Sequence, residues 1–316
     1  MKSRINISAV DQSPFQNGAR TPSSACSKPQ RKKRADEGVR APFFALHASA
    51  LAVPLLAATL LATFPGSLSA AESGTVKPVL LYSRYFNARG ESRYLPEGTY
   101  QEILSRLRNE FEVRVHNQPL NEVTLAGINL VLIANPSDKA VGANPPPPHV
   151  TAADIDSLTH YVEQGGGLIV MGNQENHNLE IEDMNRLLLR FGLQFTNLYT
   201  DVKKLVLPKE TPIIGGLRWG YYTGNLLLIT PNHPARPRPL VLNDLAQKPL
   251  KGRRDTAGTL LAVAEPGRGH VVVVTDAGWL TNDALSDKGI GGIAVEGQDN
   301  WEIFRRLAHW VAGTRK

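Results

Sequence analysis

Three ionisable side chains stand where acid–base chemistry could be assembled. Glu175 and His177 lie two apart in the polar run Asn173-Gln174-Glu175-Asn176-His177, and Asp276 follows the apolar run 271–275. A carboxylate and an imidazole that converge on one opening can move a proton or share a divalent cation. The blander account is a solvated loop, with an Asn or Asp capping the helix that follows. His-x-Asp spacing and His pairs at i, i+4 are absent, so no metal site is expected. Asn173, Gln174, Asn135, Asp276, Trp279 and Asn282 each follow an apolar run and could line a binding crevice; Asp276 and Asn282 could equally clamp the loop after their strand. A second set, Arg84, Tyr85, Arg89, Arg93 and Tyr94, falls in the loop 84–98. Arginine offers a planar fork to an anion and tyrosine a stacking face to a sugar, against the alternative of a surface loop. Ser83 lacks the Gly-x-Ser-x-Gly surroundings of an activated serine. Gly165-Gly166-Gly167 precedes a strand instead of opening a helix, which suits a helix stop better than a phosphate loop.

The elements that must position these residues follow from the hydrophobic pattern. The run 168–171 leaves three glycines and stops at Gly172, as a strand buried on both faces does before it opens into a loop. Strands are predicted also at 78–83, 111–116 and 129–134, and helices at 99–110, 151–164 and 180–191. Thr99 to Glu102 and Thr151 to Asp154 have the spacing of capping boxes. The loop 135–150, with four consecutive prolines at 145–148, can be neither helix nor central strand. From Gln194 helical periodicity disappears, and β-like runs at 205–207, 226–230, 260–264 and 271–275 alternate with turns. Glu265 to Gly269 reads as a hairpin turn. Asp299 or Asn300 can cap a last helix whose face carries Ile303, Phe304, Leu307, Trp310 and Val311. The expected fold class is α/β: a three-layer, open, mostly parallel sheet of flavodoxin-like type, with right-handed crossovers and antiparallel edge additions in the C-terminal half.

Composition bounds the function. Residues 1–40 are polar and include Arg31-Lys32-Lys33-Arg34; residues 41–64 are apolar; Ser69-Ala70-Ala71 fits a small-x-small cleavage site. That order is the order of a secretory signal peptide. We therefore expect a polar lead-in at 1–40, a signal region at 41–71 and a single domain at 72–316, exported to the periplasm or beyond. An inner-membrane anchor formed by uncleaved 41–64 is the alternative. The net charge of +6 lies wholly in the leader, since residues 72–316 carry 26 basic and 26 acidic side chains. Nucleic acid is thus not an expected partner of the domain. The only cysteine is Cys26, which leaves the domain without a disulfide, a thiolate metal site or a thiol nucleophile.

Strands 78–83, 129–134 and 167–172, the helices between them, the hairpin through Gly267-Arg268-Gly269-His270 and the closing Asp299-Asn300-Trp301 helix together resemble the class I glutamine amidotransferase-like superfamily. The likeness is closer to its secreted branch, related to domains of gliding-motility and intraflagellar-transport proteins, and covers roughly 77–314. Active members place a Cys at the turn after the strand matched by 168–171, and a His and a Glu near the end of a late strand. Here those positions read Gly172-Asn173 and Thr275-Asp276-Ala277-Gly278-Trp279. An amide has no proton that a base removes at neutral pH, so the departures argue against glutaminase chemistry. Two functions remain open: a non-catalytic envelope domain, without cofactor, that binds a ligand or protein partner, and a hydrolase using Asp276, Glu175 and His177, with or without a metal.

Overall fold

The computed structural model describes residues 76–174, 178–251, 254–286 and 288–314. The leader, residues 1–71, lies outside them, as do Glu175 and His177.

The first half alternates strand and helix as its periodicities require. β1 (Val79–Ser83) is followed by α1 (Gln101–Glu110), β2 (Glu112–His116), the single turn α2 (Glu122–Leu125) and β3 (Leu130–Ala134). Then come α3 (Ala152–Glu163), β4 (Gly167–Met171) and α4 (Glu182–Leu188), which a 3-10 turn extends to Phe191. Gly192, at φ +72°, ends it in the left-handed region that glycine enters without strain. The second half supplies β5 (Leu193–Phe195), β6 (Lys203–Val206), β7 (Arg218–Tyr221), β8 (Leu227–Ile229), β9 (Arg238–Asn243), β10 (Gly258–Ala264) and β11 (His270–Val274). Two helices, α5 (Asn282–Leu285) and α6 (Asn300–Val311), follow.

Nine strands form one sheet in the order β2-β1-β3-β4-β11-β10-β8-β5, with β9 also paired to β10. β2, β1, β3, β4 and β11 run parallel, and β10, β9, β8 and β5 add antiparallel pairs. β6 and β7 make a separate hairpin pair. The chain leaves β1 toward β2 on one side and returns to β3 on the other. The gap between the carboxyl ends of β1 and β3 is therefore the topological switch point, where open parallel sheets bind ligands.

β3 and β4 are buried along their whole length. Alternate residues join different cores, because strand side chains have a period of two. Tyr82, Leu132 and Met171 pack with Ile103 and Leu107 of α1 and Phe304 and Leu307 of α6. Leu81, Val131 and Val170 pack with Leu158 of α3 and Met184 and Leu187 of α4. Each such side chain contributes about 1.5–3 kcal/mol by burial, so a one-residue slip of register would forfeit both cores. Among the described residues no helix is long and apolar enough to cross a membrane.

Two expected caps are corrected. The Thr151–Asp154 box forms, but the α1 box does not: Thr99 Oγ1 accepts from the backbone N–H of Tyr94 at 2.8 Å. The cap of α1 comes from far along the chain, where Asn282 Oδ1 accepts from Glu102 N at 2.9 Å and its Nδ2 donates to Gly98 O at 3.0 Å. At α6 neither Asp299 nor Asn300 caps with its side chain. Asp299 instead receives Arg218 N and the Arg218 guanidinium. Asn300 accepts from Gly220 N at 2.8 Å and donates to Gly220 O and Trp279 O. Both residues bind β7 to α6, a tertiary use of side chains whose sequence position suggested a local one. β5, β7 and β9 were not anticipated, since short edge strands with mixed burial leave little periodicity.

Candidate functional site at the carboxyl edge of the sheet

Four parallel strands end together, at Ser83, Ala134, Met171 and Val274, and the residues just beyond them meet across neighbouring strands. Asn135, at φ +46°, donates its backbone N–H to Met171 O at 2.7 Å. Gly172 N donates to Val274 O, also at 2.7 Å. Gly172 is demanded by packing: a Cβ there would lie 2.7 Å from the Phe195 ring.

The loop after β1 lies over this edge and is fastened to it. Asn87 Nδ2 donates to Ala134 O at 2.7 Å, and Ser137 N to Phe86 O at 2.9 Å. Tyr94 is buried, at φ +58°. Its carbonyl accepts the Tyr82 hydroxyl, and its own hydroxyl accepts Asn173 Nδ2. The Tyr94 ring packs edge-on against Tyr100 at 5.4 Å, and the Tyr100 hydroxyl donates to Ala277 O at 2.6 Å. Asn173 is equally committed elsewhere: its Oδ1 accepts from Gln174 N, and its carbonyl from Asn225 Nδ2 at 2.6 Å. The position that the superfamily resemblance gives to a nucleophile is thus filled by an amide that holds the loop down.

Asp276 is buried and serves the backbone. Oδ2 accepts from Tyr222 N at 2.8 Å and Oδ1 from Gly278 N at 2.6 Å. Burial pushes its carboxyl up to about 7, while those N–H donors pull the other way. Both Tyr94 and Tyr100 are raised by burial, and the nearby Asp276 charge adds to this. Trp279 is a core residue, edge-on to Trp219 at 5.5 Å and to Phe304 at 6.0 Å. Asn282 caps α1, as described. Asn173, Gln174, Asn135 and Asp276 do gather at the carboxyl edge, whereas Trp279 and Asn282 are spent on packing and capping.

Several buried polar atoms at the switch point have no partner. Ser83 Oγ, Asn87 Oδ1 and Asn135 Oδ1 are buried with no hydrogen-bond partner, as is Gln174 Oε1 beyond β4. Buried polar atoms are normally satisfied; further unpartnered ones lie elsewhere in the fold, among them Thr159 Oγ1, Asn243 Oδ1 and the indole N–H groups of Trp219 and Trp279. A cleft of about 290 Å³ opens beside this edge, between the loop after β1 and Asn117, which follows β2; its lining includes Arg84, Tyr85, Asn87 and Arg89 but not Ser83, Asn135 or Gln174. Arg84 is paired to Glu97 at 2.7 Å and Arg93 to Glu91. Asn87 and Asn117 are the residues that sequence reasoning missed. Asn87 sits inside the loop already singled out, but nothing local distinguishes an amide that folds back onto β3.

Other concave regions are better satisfied. Clefts of about 470 and 770 Å³ lie at the opposite edge, around Gly165 and Gly166 and around His270 and Trp310. In the larger, Glu302 binds Arg305 and Arg306, and His309 joins Glu110 and Thr314. His149, Glu180 and Asp183 bring three potential metal ligands within 4.8 Å of one another, which the spacing 149/180/183 could not reveal. The group is a helix cap: both Glu180 oxygens accept backbone N–H groups, of Asp183 and Met184, at 2.9 Å. Asp183 is occupied by His149 and Arg186, and these partners hold its carboxyl below the usual range.

No family model matches the chain. A stretch of 135 residues, 42% of the chain, is 24% identical to Intraflagellar transport protein 52 homolog of Mus musculus and spans 29% of that protein's length. Among solved structures, the mmIFT52 N-terminal domain superposes with a TM-score of 0.55 at 16% identity, over 75% of this chain and 99% of that one. A ThuA-like protein from Bacteroides uniformis gives a TM-score of 0.45 at 11% identity, over 80% and 98%. The chain therefore shares the α/β fold of the mmIFT52 N-terminal domain.

Proposed function

We propose that residues 72–316 form one three-layer, amidotransferase-like domain that has no amidotransferase chemistry and binds a ligand or protein partner at the switch point. The observation that carries this is the contrast between two neighbouring positions. After β4 the side chain of Asn173 is consumed by Tyr94, while after β1 and β3 the side chains of Ser83, Asn87 and Asn135 keep unpartnered buried atoms. A site that has spent its nucleophile position on structure, and holds its free polar atoms beside it, is organised for recognition. Against the hydrolase alternative, both oxygens of Asp276, one of its two carboxylates, hold backbone N–H groups; Glu175 and His177 lie outside the described residues.

The setting that accords with the leader sequence is the bacterial cell envelope, reached by export and cleavage after residue 71. Two experiments test the proposal. Incubation of the protein with glutamine is expected to release no ammonia, and ammonia release above a heat-killed control would refute it. The N-terminus of the protein from cells, read by mass spectrometry, is expected near residue 72; an intact Met1 terminus would sink the export claim.

A further inference from the structure

We propose that the outer edge of β2 pairs with the same edge of a second copy of this chain, about a two-fold axis at Val113. β2 is the last strand on its side of the sheet, and among the described residues no strand pairs with its outer edge. Two backbone bonds show which way its groups point: Glu112 N donates to Pro78 O at 2.9 Å, and His116 O accepts from Arg84 N at 2.9 Å. Along a strand, successive residues turn their N–H and C=O groups to opposite sides. Glu112, Arg114 and His116 therefore face β1, and the N–H and C=O groups of Val113 and Val115 point outward. The Val115 side chain is 40% exposed on the same strand. An open edge of this kind is a template for another strand.

The charges on the edge argue for its occupant. A lone charge blunts a sheet edge. Here two opposite charges, Glu112 and Arg114, stand exposed on one face of the strand with Val113 between them. Opposed residues of an antiparallel pair both face the partner strand or both face away, so a two-fold axis must pass at a residue and not between two. An axis at Val113 sets Glu112 against the partner's Arg114, and the symmetry repeats the pair. Val113 then exchanges both of its hydrogen bonds with the partner's Val113, and Val115 N–H meets the carbonyl of the partner's Phe111. Phe111 is extended, at φ −129° and ψ 155°, so the strand geometry reaches it. An axis at Glu112 or Arg114 sets like charges against each other, and an axis at Val115 sets Arg114 against the partner's His116. Parallel pairing in register also opposes like with like. The ion pairs are exposed and add little affinity, so they select the register while backbone bonds and Val115 hold the pair.

Sedimentation equilibrium of the full chain tests this. A dimer that dissociates on dilution is expected for the wild type. Val113→Pro removes an outward N–H and no bond to β1, so it is expected to weaken the dimer at least tenfold without lowering the thermal melt of the dilute chain. Glu112→Arg and Arg114→Glu are each expected to weaken self-association at least tenfold. Their equimolar mixture is expected to form a heterodimer at least as tight as the wild-type dimer, since two arginines then face two glutamates. Neither variant keeps the Glu112–Arg114 pair within its own strand, so recovery in the mixture reports pairing between copies. A dimer that Val113→Pro spares, or a mixture that stays monomeric, overturns the proposal. A wild-type chain that is monomeric at every concentration also overturns it, and assigns no second copy to this edge even if an extended peptide binds there.

Discussion

The side-chain amide of Asn173 donates to the hydroxyl of Tyr94, 79 residues earlier in the chain. Both residues are buried. The bond joins the end of the central strand β4 to the loop that follows β1.

Removing the acceptor should loosen that loop. Tyr94→Phe keeps the ring packed on Tyr100 but removes the hydroxyl that accepts from Asn173 Nδ2 in a buried site. A cost of about 1–2 kcal/mol is expected. Urea unfolding should show it as a lower midpoint at unchanged m, and an unchanged midpoint would mean that the bond contributes nothing net.

Asn282→Ala should weaken α1 from a distance. It removes the acceptor of Glu102 N and the donor to Gly98 O. A lost cap costs roughly 0.5–2 kcal/mol. The amides of Gln101 and Glu102 should exchange faster with solvent, and unaltered exchange there would contradict the tertiary cap.

Asn300→Ala should be more damaging. Its side chain is fully buried and satisfies Gly220 N, Gly220 O and Trp279 O. Leaving several buried backbone groups unpaired is expected to cost about 2–4 kcal/mol, read by thermal or urea unfolding. A loss below about 1 kcal/mol would show that water replaces the amide.

Asp276 should give the domain an unusual pH response. Burial raises its carboxyl from 3.8 to about 7. Between those values the folded chain holds a proton that the unfolded chain has released, so stability falls as pH rises from about 4 to about 7. His270, lowered by burial, acts in the opposite sense as pH falls through its ordinary range. The contribution of Asp276 is therefore read as the difference between the wild type and Asp276→Asn. Wild-type stability should drop relative to the variant between about pH 4 and 7. Parallel pH profiles would contradict the assignment.

The parallel half of the sheet was legible because its signals are dense. β3 and β4 are unbroken apolar runs, Thr151 and Asp154 cap α3 locally, and Gly165 and Gly192 stop helices where the periodicity ends. That the loop 84–98, Asn135 and Asn173 come together at the carboxyl edge was legible because they follow such strands. What the sequence hid is tertiary. Asn282 and Asn300 look like local caps, and only the fold reveals that one serves a helix 180 residues away and the other serves β7. The same holds for Trp279, whose position after β11 suggested a crevice wall and whose ring lies in the core against Trp219. Asn87 gave no signal, because an amide that folds back onto a neighbouring strand end has no sequence spacing of its own.

The central claim is that ligand sits at the carboxyl ends of β1 and β3. Hydrogen exchange of the full chain, with and without a saturating compound that calorimetric titration shows to bind, locates it most directly. Protection is predicted in residues 84–98 and around Asn135, with the cleft at His270 and Trp310 unchanged. Protection around His270 and Trp310, with 84–98 unaffected, would contradict the account.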